Sequence, residues 1–445
     1  MDGDPPPTAG HVLEITAIER ADTQRQDPLF RFGVDRPVAP SRHNAFDFLV
    51  AGWVLHPERR IVSVQVTAGG EAIGWGHVQL PRPDVEKVFP NVPGVHTCGF
   101  HLAASAVGLP PAFDCAVEAN VDDGRRVELA RIRGTRTLAP DDGEAGLQPL
   151  IVTSLARSGS TLLLGLLAGH PEIVVDRIVP YETRTSSYWM HVYKVLSRPA
   201  NHARAGDLDT FVYNGHFVGQ NPYNAAFRNE PQLVREWYGR TSVDGLAAFC
   251  RQTIQSFYHV IAKVNGQARP RYFAEKTLGS PTTFLWRELY TNAHEIFLVR
   301  DFRDMAASIL AFNAKRGYPA FARQQFTSDE EYMHHLQMSA RELRLAWQQR
   351  AQSSLLVRYE DLVRCPQESL ARILQHLGLD VSPKIIQGML DSVAATPELQ
   401  GHRTSQDAES SIGRWRVDME PRLQQVCQAS LAEALAEFGY TEPVA

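Results

Sequence analysis

One stretch constrains this chain more than any other: Ile151 to Val175, IVTSLARSGSTLLLGLLAGHPEIVV. Ile151 and Val152 read as a buried strand, Ser154 to Ser160 as a tight polar loop, and Thr161 toward Gly169 as an apolar helix. Small residues in such a loop let backbone N–H groups converge at a helix N-terminus, where the helix dipole also favours an anion. The stretch therefore predicts a phosphate cradle between a strand and a helix.

The ordinary nucleotide-binding loop is G-x-x-x-x-G-K-[ST]. Registered on Gly159 and Thr161, the present loop has Ser154 at the first Gly and Ser160 where the phosphate-binding Lys belongs, and Arg157 supplies a cation inside the loop instead. On its own the pattern is also readable as a plain connection with a surface arginine.

A chain of 445 residues, 44% hydrophobic and 21% charged, is long for one core, and two domains are expected. The net charge of −5 argues against a general nucleic-acid binder and leaves a local basic pocket for a small ligand. Five scattered cysteines without C-x-x-C spacing indicate neither a zinc site nor a disulfide framework, so no metal site is expected. The start MDGDPPPTAG has no signal-peptide character and no run is long enough for a bilayer, which makes the cytoplasm the expected location.

Residues 1 to about 43 lack a sustained period and read as tail or loop. FDFLVAGWVL (46–55), RIVSVQVTAGG (60–70) and FDCAVEANV (113–121) are β-favouring, and the last puts Phe113, Cys115, Val117, Ala119 and Val121 on one face. Gly69-Gly70 and Asp122-Asp123-Gly124 fit hairpin turns, so 44–137 is expected to be a small antiparallel β-sandwich. With PRPDVEKVFP and CGFHL it resembles accessory modules found beside bacterial transferase domains; Trp53 and Trp75 there are core aromatics or a sugar platform. The Pro, Gly and acidic segment 138–149 reads as a linker. From 150 to 445, RYFAEK (271–276), HEIFLVRD (294–301) and SLLVRYEDL (354–362) are strands, and EYMHHLQMSARELRLAWQQR (331–350) is a helix. The fold class is α/β: a P-loop-like parallel sheet flanked by helices, preceded by a small all-β sandwich.

HEIFLVRDFRDMAASILAF places Arg300 at a strand end and Ser308 two helical turns into the following helix. Arg300 by itself is also readable as a helix cap or a partner of Asp304. Joined to LARSGSTLL, however, the pair resembles sulfotransferases that use 3′-phosphoadenosine 5′-phosphosulfate. The likeness runs from Leu150 to the C-terminus, and RSGSTLL and HPE are most similar to tyrosylprotein and bacterial carbohydrate sulfotransferases.

The resemblance implies that Arg157, Ser158, Gly159, Ser160 and Thr161 hold the 5′-phosphosulfate, that Arg300 and Ser308 bind the 3′-phosphate, and that no metal is required. Two anion sites on one rigid sheet suit such a donor, and Arg300 offers a planar fork for a phosphate. VPYETR (179–184) resembles a Glu-Thr-Arg segment in which the Glu is the catalytic base, which nominates Glu182, with His191 and His216 as alternatives. AEKTLGSP resembles the Glu-Lys-Thr segment of bacterial members, giving Lys276 a charge-stabilising role that Arg157 shares. SSIGRWRVDMEP (410–421) resembles the segment closing on the donor, with Arg414 on phosphate and Trp415 on adenine or bracing the loop. Tyr359, Glu360 and Asp361 receive no chemistry.

The expected reaction is sulfuryl transfer to an acceptor hydroxyl on a sugar, lipid, peptide or secondary metabolite. The aromatic run Tyr181, Tyr188, Trp189 and Tyr193 suits stacking on such an acceptor or core packing. A P-loop small-molecule kinase and a non-catalytic carbohydrate-binding protein are the other readings.

Overall fold

Period-two burial early in the chain, and buried strands joined by helices later, divide the molecule into two compact units. One comprises Met1–Asp142, Trp189–Arg251 and Phe284–Thr291; the other comprises Gly143–Tyr188, Gln252–Thr283 and Asn292–Ala445. The computed structural model describes residues 12–22, 27–43, 46–138, 146–197, 237–277, 285–401 and 404–441.

The first unit holds strands β1 (Val12–Arg20), β2 (Arg31–Arg36), β3 (Ser41–His43), β4 (Asp47–Leu55), β5 (Ile61–Ala68) and β6 (Glu71–His77), helix α1 (Pro83–Val88), then β7 (Gly99–Ser105), β8 (Ala112–Val121) and β9 (Arg126–Thr137). A sheet of order β3-β1-β9-β8-β5-β6 and a second of order β2-β4-β7, antiparallel throughout, share one apolar core. Both expected hairpins form, and the alternation in β8 buries Phe113, Cys115, Val117, Ala119 and Val121. The segment expected as tail or loop is corrected here: β1, β2 and β3 lie within it. Their pattern is faint because only Leu13 and Ile15 are fully buried among the three, and their order comes from pairing with β9 and β4. Trp75 donates to Ser63 Oγ (2.9 Å), and the Trp53 ring lies 5.8 Å from that of Phe89, so both work in packing. Glu288, on the short helix Leu285–Leu289, forms a buried ion pair with Arg136.

The second unit is built on a parallel sheet of order β11-β12-β10-β13-β14. Its elements are β10 (Gln148–Thr153), α2 (Ser160–Leu167), β11 (Ile173–Val174), α3 (Thr185–Leu196), α4 (Asp244–Val264), β12 (Tyr272–Thr277), β13 (His294–Val299), α5 (Phe302–Arg316), α6 (Asp329–Arg350), β14 (Ser354–Arg358), α7 (Tyr359–Arg364), α8 (Pro366–His376), α9 (Pro383–Ala394) and α10 (Pro421–Glu437). Helices α3 and α4 begin or end in this unit and continue into the other.

The central strand β10 begins inside the expected linker, of which residues 139–145 lie outside the described residues. Tyr359, expected in a strand, instead opens α7. One face of the sheet packs Leu150, Val152, Ile296 and Leu298 under α2 and α8; the other packs Phe297 and Val299 under α5, α6 and α10. With both faces covered, the strands run as near-continuous apolar segments. The pairs Thr153↔Thr277 and Thr153↔Phe297 bring the carboxyl ends of β12, β10 and β13 together. Ligands of such sheets bind there.

Candidate active site

The loop after β10 is held before anything binds in it. Ser154 donates its amide to Thr277 O (3.0 Å) and Ser158 donates its amide to Leu155 O (3.4 Å). Arg157 and Gly159 both adopt positive φ, 64° and 93°. Gly159 is required twice over: its backbone lies in the left-handed region, and a Cβ there would overlap the Tyr359 ring. This turn points α2 at the loop, with Ser160 as its first residue.

Arg157 Nε donates to Ser308 Oγ (3.2 Å), and its guanidinium lies 4.6 Å from the centroid of the Phe312 ring. Burial, then the charges of Arg300, Arg414 and Arg316, push Arg157 down to about 10, so it stays protonated at neutral pH. Mutual repulsion among buried guanidinium groups is relieved by an anion.

Arg300 follows β13 and is 4% exposed. It donates to Arg157 O (3.1 Å) and Ser411 O (2.6 Å), and it lies 4.7 Å from the centroid of the Tyr359 ring. Its Nε is buried without a hydrogen-bond partner. An unsatisfied buried N–H is costly unless a ligand accepts from it. Asp301 caps α5 by accepting from the Arg303 amide (2.9 Å), which fixes the helix that carries Ser308. Ser308 Oγ also meets Thr404 Oγ1 (3.1 Å).

Beyond α2, buried Lys276 at the end of β12 reaches Pro180 O (2.7 Å), Thr161 Oγ1 (3.4 Å) and Glu182 Oε1 (3.2 Å). Burial lowers the Lys276 pKa and Glu182 pulls it back up. The Glu182 side chain is 59% exposed, so the pair joins a fixed ammonium to a solvent-reachable carboxylate.

A cavity of about 780 Å³ unites these groups. Arg157, Gly159, Ser160, Thr161, Glu182, Lys276, Arg300 and Ser308 all line it. Ser158 does not: its side chain is buried, with Oγ 3.8 Å from Met305 Sδ, and its amide is turned onto Leu155 O (3.4 Å). Arg414 stands one hydroxyl behind the wall, donating to Thr404 Oγ1 (2.7 Å) and pairing with Asp418. Trp415 is 1% exposed inside the core under α5, with the guanidinium groups of Arg303 and Arg416 4.3 Å and 4.6 Å from its ring, and of its two expected roles, stacking on adenine or bracing the loop, this burial favours the second. Asp304 does not pair with Arg300. It accepts from the Gly413 (2.6 Å) and Trp415 (3.0 Å) amides, and burial lifts it to about 6.

A family model described as the Sulfotransferase family matches residues 149–383, more than half of the chain. The chain belongs to the sulfotransferase family.

Two curated relatives match over shorter stretches. Human carbohydrate sulfotransferase 3 is 29% identical over 87 residues, 19% of this chain and 18% of that protein. The mouse protein of the same name is 28% identical over 160 residues, 33% of each chain. The match thus spans a third or less of those relatives.

Among solved structures, a sulfotransferase domain from the curacin biosynthetic pathway is 18% identical, covering 65% of this chain and 99% of its own, at TM-score 0.36. Sulfotransferase STF9 from Mycobacterium avium is 15% identical (66% and 77% covered, TM-score 0.31), and mouse SULT7A1 complexed with PAP is 13% identical (66% and 86%, TM-score 0.34).

Sequence reasoning gave Tyr359 of this sulfotransferase-family chain no chemistry, yet it lines the cavity, carries Arg300 on its ring and meets Ser411 Oγ (3.0 Å). Thr404 and Ser411 were also missed. Tyr359 was read as part of the SLLVRYEDL strand, Ser411 lies in the 410–421 segment expected to close on the donor without being singled out there, and Thr404 reaches the site by tertiary folding. His191 is exposed and outside the cavity lining, and His216 lies outside the described residues. Tyr181 and Tyr193 are buried and Tyr188 is 64% exposed; none of them lines the cavity, nor does Trp189.

Proposed function

We propose that this chain transfers a sulfuryl group from 3′-phosphoadenosine 5′-phosphosulfate to an acceptor hydroxyl. The observation that carries the reading is the joining, in one cavity, of a buried guanidinium cluster on Ser308 with the Lys276–Glu182 pair across the loop. The residues fit a doubly anionic donor: Arg300 Nε awaits an acceptor, and the arginines press on one another without one.

In this reading Arg157 and the amides of Gly159 to Thr161 hold the phosphosulfate end, and Ser158 braces the loop with its amide on Leu155 O. Arg300 and Ser308 hold the 3′-phosphate, with Arg414 acting behind them through Thr404. The donor supplies a sulfuryl group whose bond to the bridging oxygen breaks as the acceptor oxygen bonds to sulfur. Lys276 and Arg157 offset charge on the departing phosphate side. Glu182 takes the acceptor proton, being accessible and held beside Lys276. Acceptor candidates are hydroxyls of a sugar, lipid, peptide or secondary metabolite.

The test is incubation with 35S-labelled donor and a cell extract, followed by identification of the labelled product. Glu182→Gln should keep donor binding within about threefold and lower kcat by about 100-fold or more. Turnover near wild type in that variant removes Glu182 from the role.

A further inference from the structure

Neighbouring residues of a strand point to opposite faces of the sheet. At the end of β12 this places two ionisable side chains on either side of one short segment. Lys276, on the α2 face, holds the segment's start through Pro180 O (2.7 Å) and pairs with Glu182 (3.2 Å). Glu275, on the other face and 2% exposed, holds its end by accepting from the Ser186 amide (2.8 Å) in the first turn of α3. The Tyr258 hydroxyl donates to the same Glu275 oxygen, and the Tyr258 ring stacks on Phe273 at 4.3 Å and 11°. Between these anchors run Tyr181 to Thr185, including Glu182 and Arg184, both on the cavity wall.

We propose that Glu275 is a positioning residue: its oxygen, fixed by Tyr258, holds the first turn of α3 and so sets Glu182 against Lys276. The consequence for rate rests on the reading of Glu182 as base; the anchoring does not.

First-turn amides of a helix have no acceptor within it, so Ser186 needs an external one. Burial pushes the Glu275 carboxyl up to about 7 against the pull of Tyr258 and the Ser186 and Ser187 amides. Both protonation states keep an accepting oxygen, so the role lies in acceptance and not in charge. Glutamine preserves that oxygen and leucine removes it.

The experiment compares Glu275→Gln and Glu275→Leu in labelled transfer to a cell extract, in binding of 3′-phosphoadenosine 5′-phosphate, and in backbone amide exchange over residues 181–187. Glu275→Leu should lose about 30-fold in kcat, because small misplacements of a reacting group are that costly. Its donor KM and its affinity for the nucleotide should stay within about threefold of wild type, with faster exchange in the segment. Glu275→Gln should match wild type within about threefold throughout. Wild-type kcat in Glu275→Leu, affinity falling in step with kcat, or a Gln variant as impaired as Leu overturns the proposal. Should the Leu variant not fold, the wild type decides: a protected Ser186 amide supports the anchor and an unprotected one overturns it. Wild-type protein that neither binds the nucleotide nor transfers label fails the functional reading, while the Ser186 measurement still judges the anchor.

Discussion

Arg300 spends two donors on backbone carbonyls, Arg157 O and Ser411 O, and keeps a third, Nε, buried and unmatched. A lysine cannot hold two walls of the cavity and offer a further donor in one plane. Arg300→Lys should therefore weaken binding of 3′-phosphoadenosine 5′-phosphate by about 10- to 100-fold in calorimetry. Glu275 gives a pH-dependent prediction. Burial lifts its folded-state pKa from the ordinary 4.5 to about 7, so the folded chain holds this proton more tightly than the unfolded chain. Wild type should lose stability relative to Glu275→Gln as pH rises from about 4.5 to about 7, approaching a difference of about 3 kcal/mol by pH 8. Urea unfolding of both proteins at pH 5 and pH 8 reads this directly, and an unchanged gap contradicts it.

The strand, loop and helix from β10 to α2 form the element on which the site turns, and they were the most legible part of the chain. Gly159 explains why: the turn needs a positive φ, and the Tyr359 ring occupies the space a side chain would take. Gly159→Ala should cost about 2–4 kcal/mol in urea unfolding, through left-handed strain plus overlap, and remove nucleotide binding. Retention of both stability and binding contradicts the cradle. β12, β13 and α6 were legible by the same logic of apolar runs and helical period. β1 to β3 were not, because their order comes from distant partners such as β9 and not from a pattern of their own. The Gly413–Trp415 turn shows the same limit: its sequence suggested ligand contacts, but the Asp304 carboxylate takes its amides and Trp415 sinks into the core.

At the scale of the whole molecule, a parallel sheet gathers residues far apart in the chain at the ends of three adjacent strands. Arg157, Lys276 and Arg300 were legible because each stands at the end of an apolar strand, one step past it or in the loop that follows. Tyr359 and Thr404 were not, since nothing local marks a residue that arrives by packing, and Ser411 was legible only as one position of the 410–421 segment. No helix among the described residues is long and apolar enough to cross a membrane. The central claim is that two separate anion sites, not a triphosphate cradle, define the cavity. Calorimetric titration with 3′-phosphoadenosine 5′-phosphate, ADP and ATP with Mg²⁺ tests it most directly. The 3′-phosphorylated nucleotide should bind about 100-fold more tightly than ADP, and Arg300→Ala should abolish that preference. Equal affinity for ADP, or tighter binding of ATP with Mg²⁺, would contradict the account.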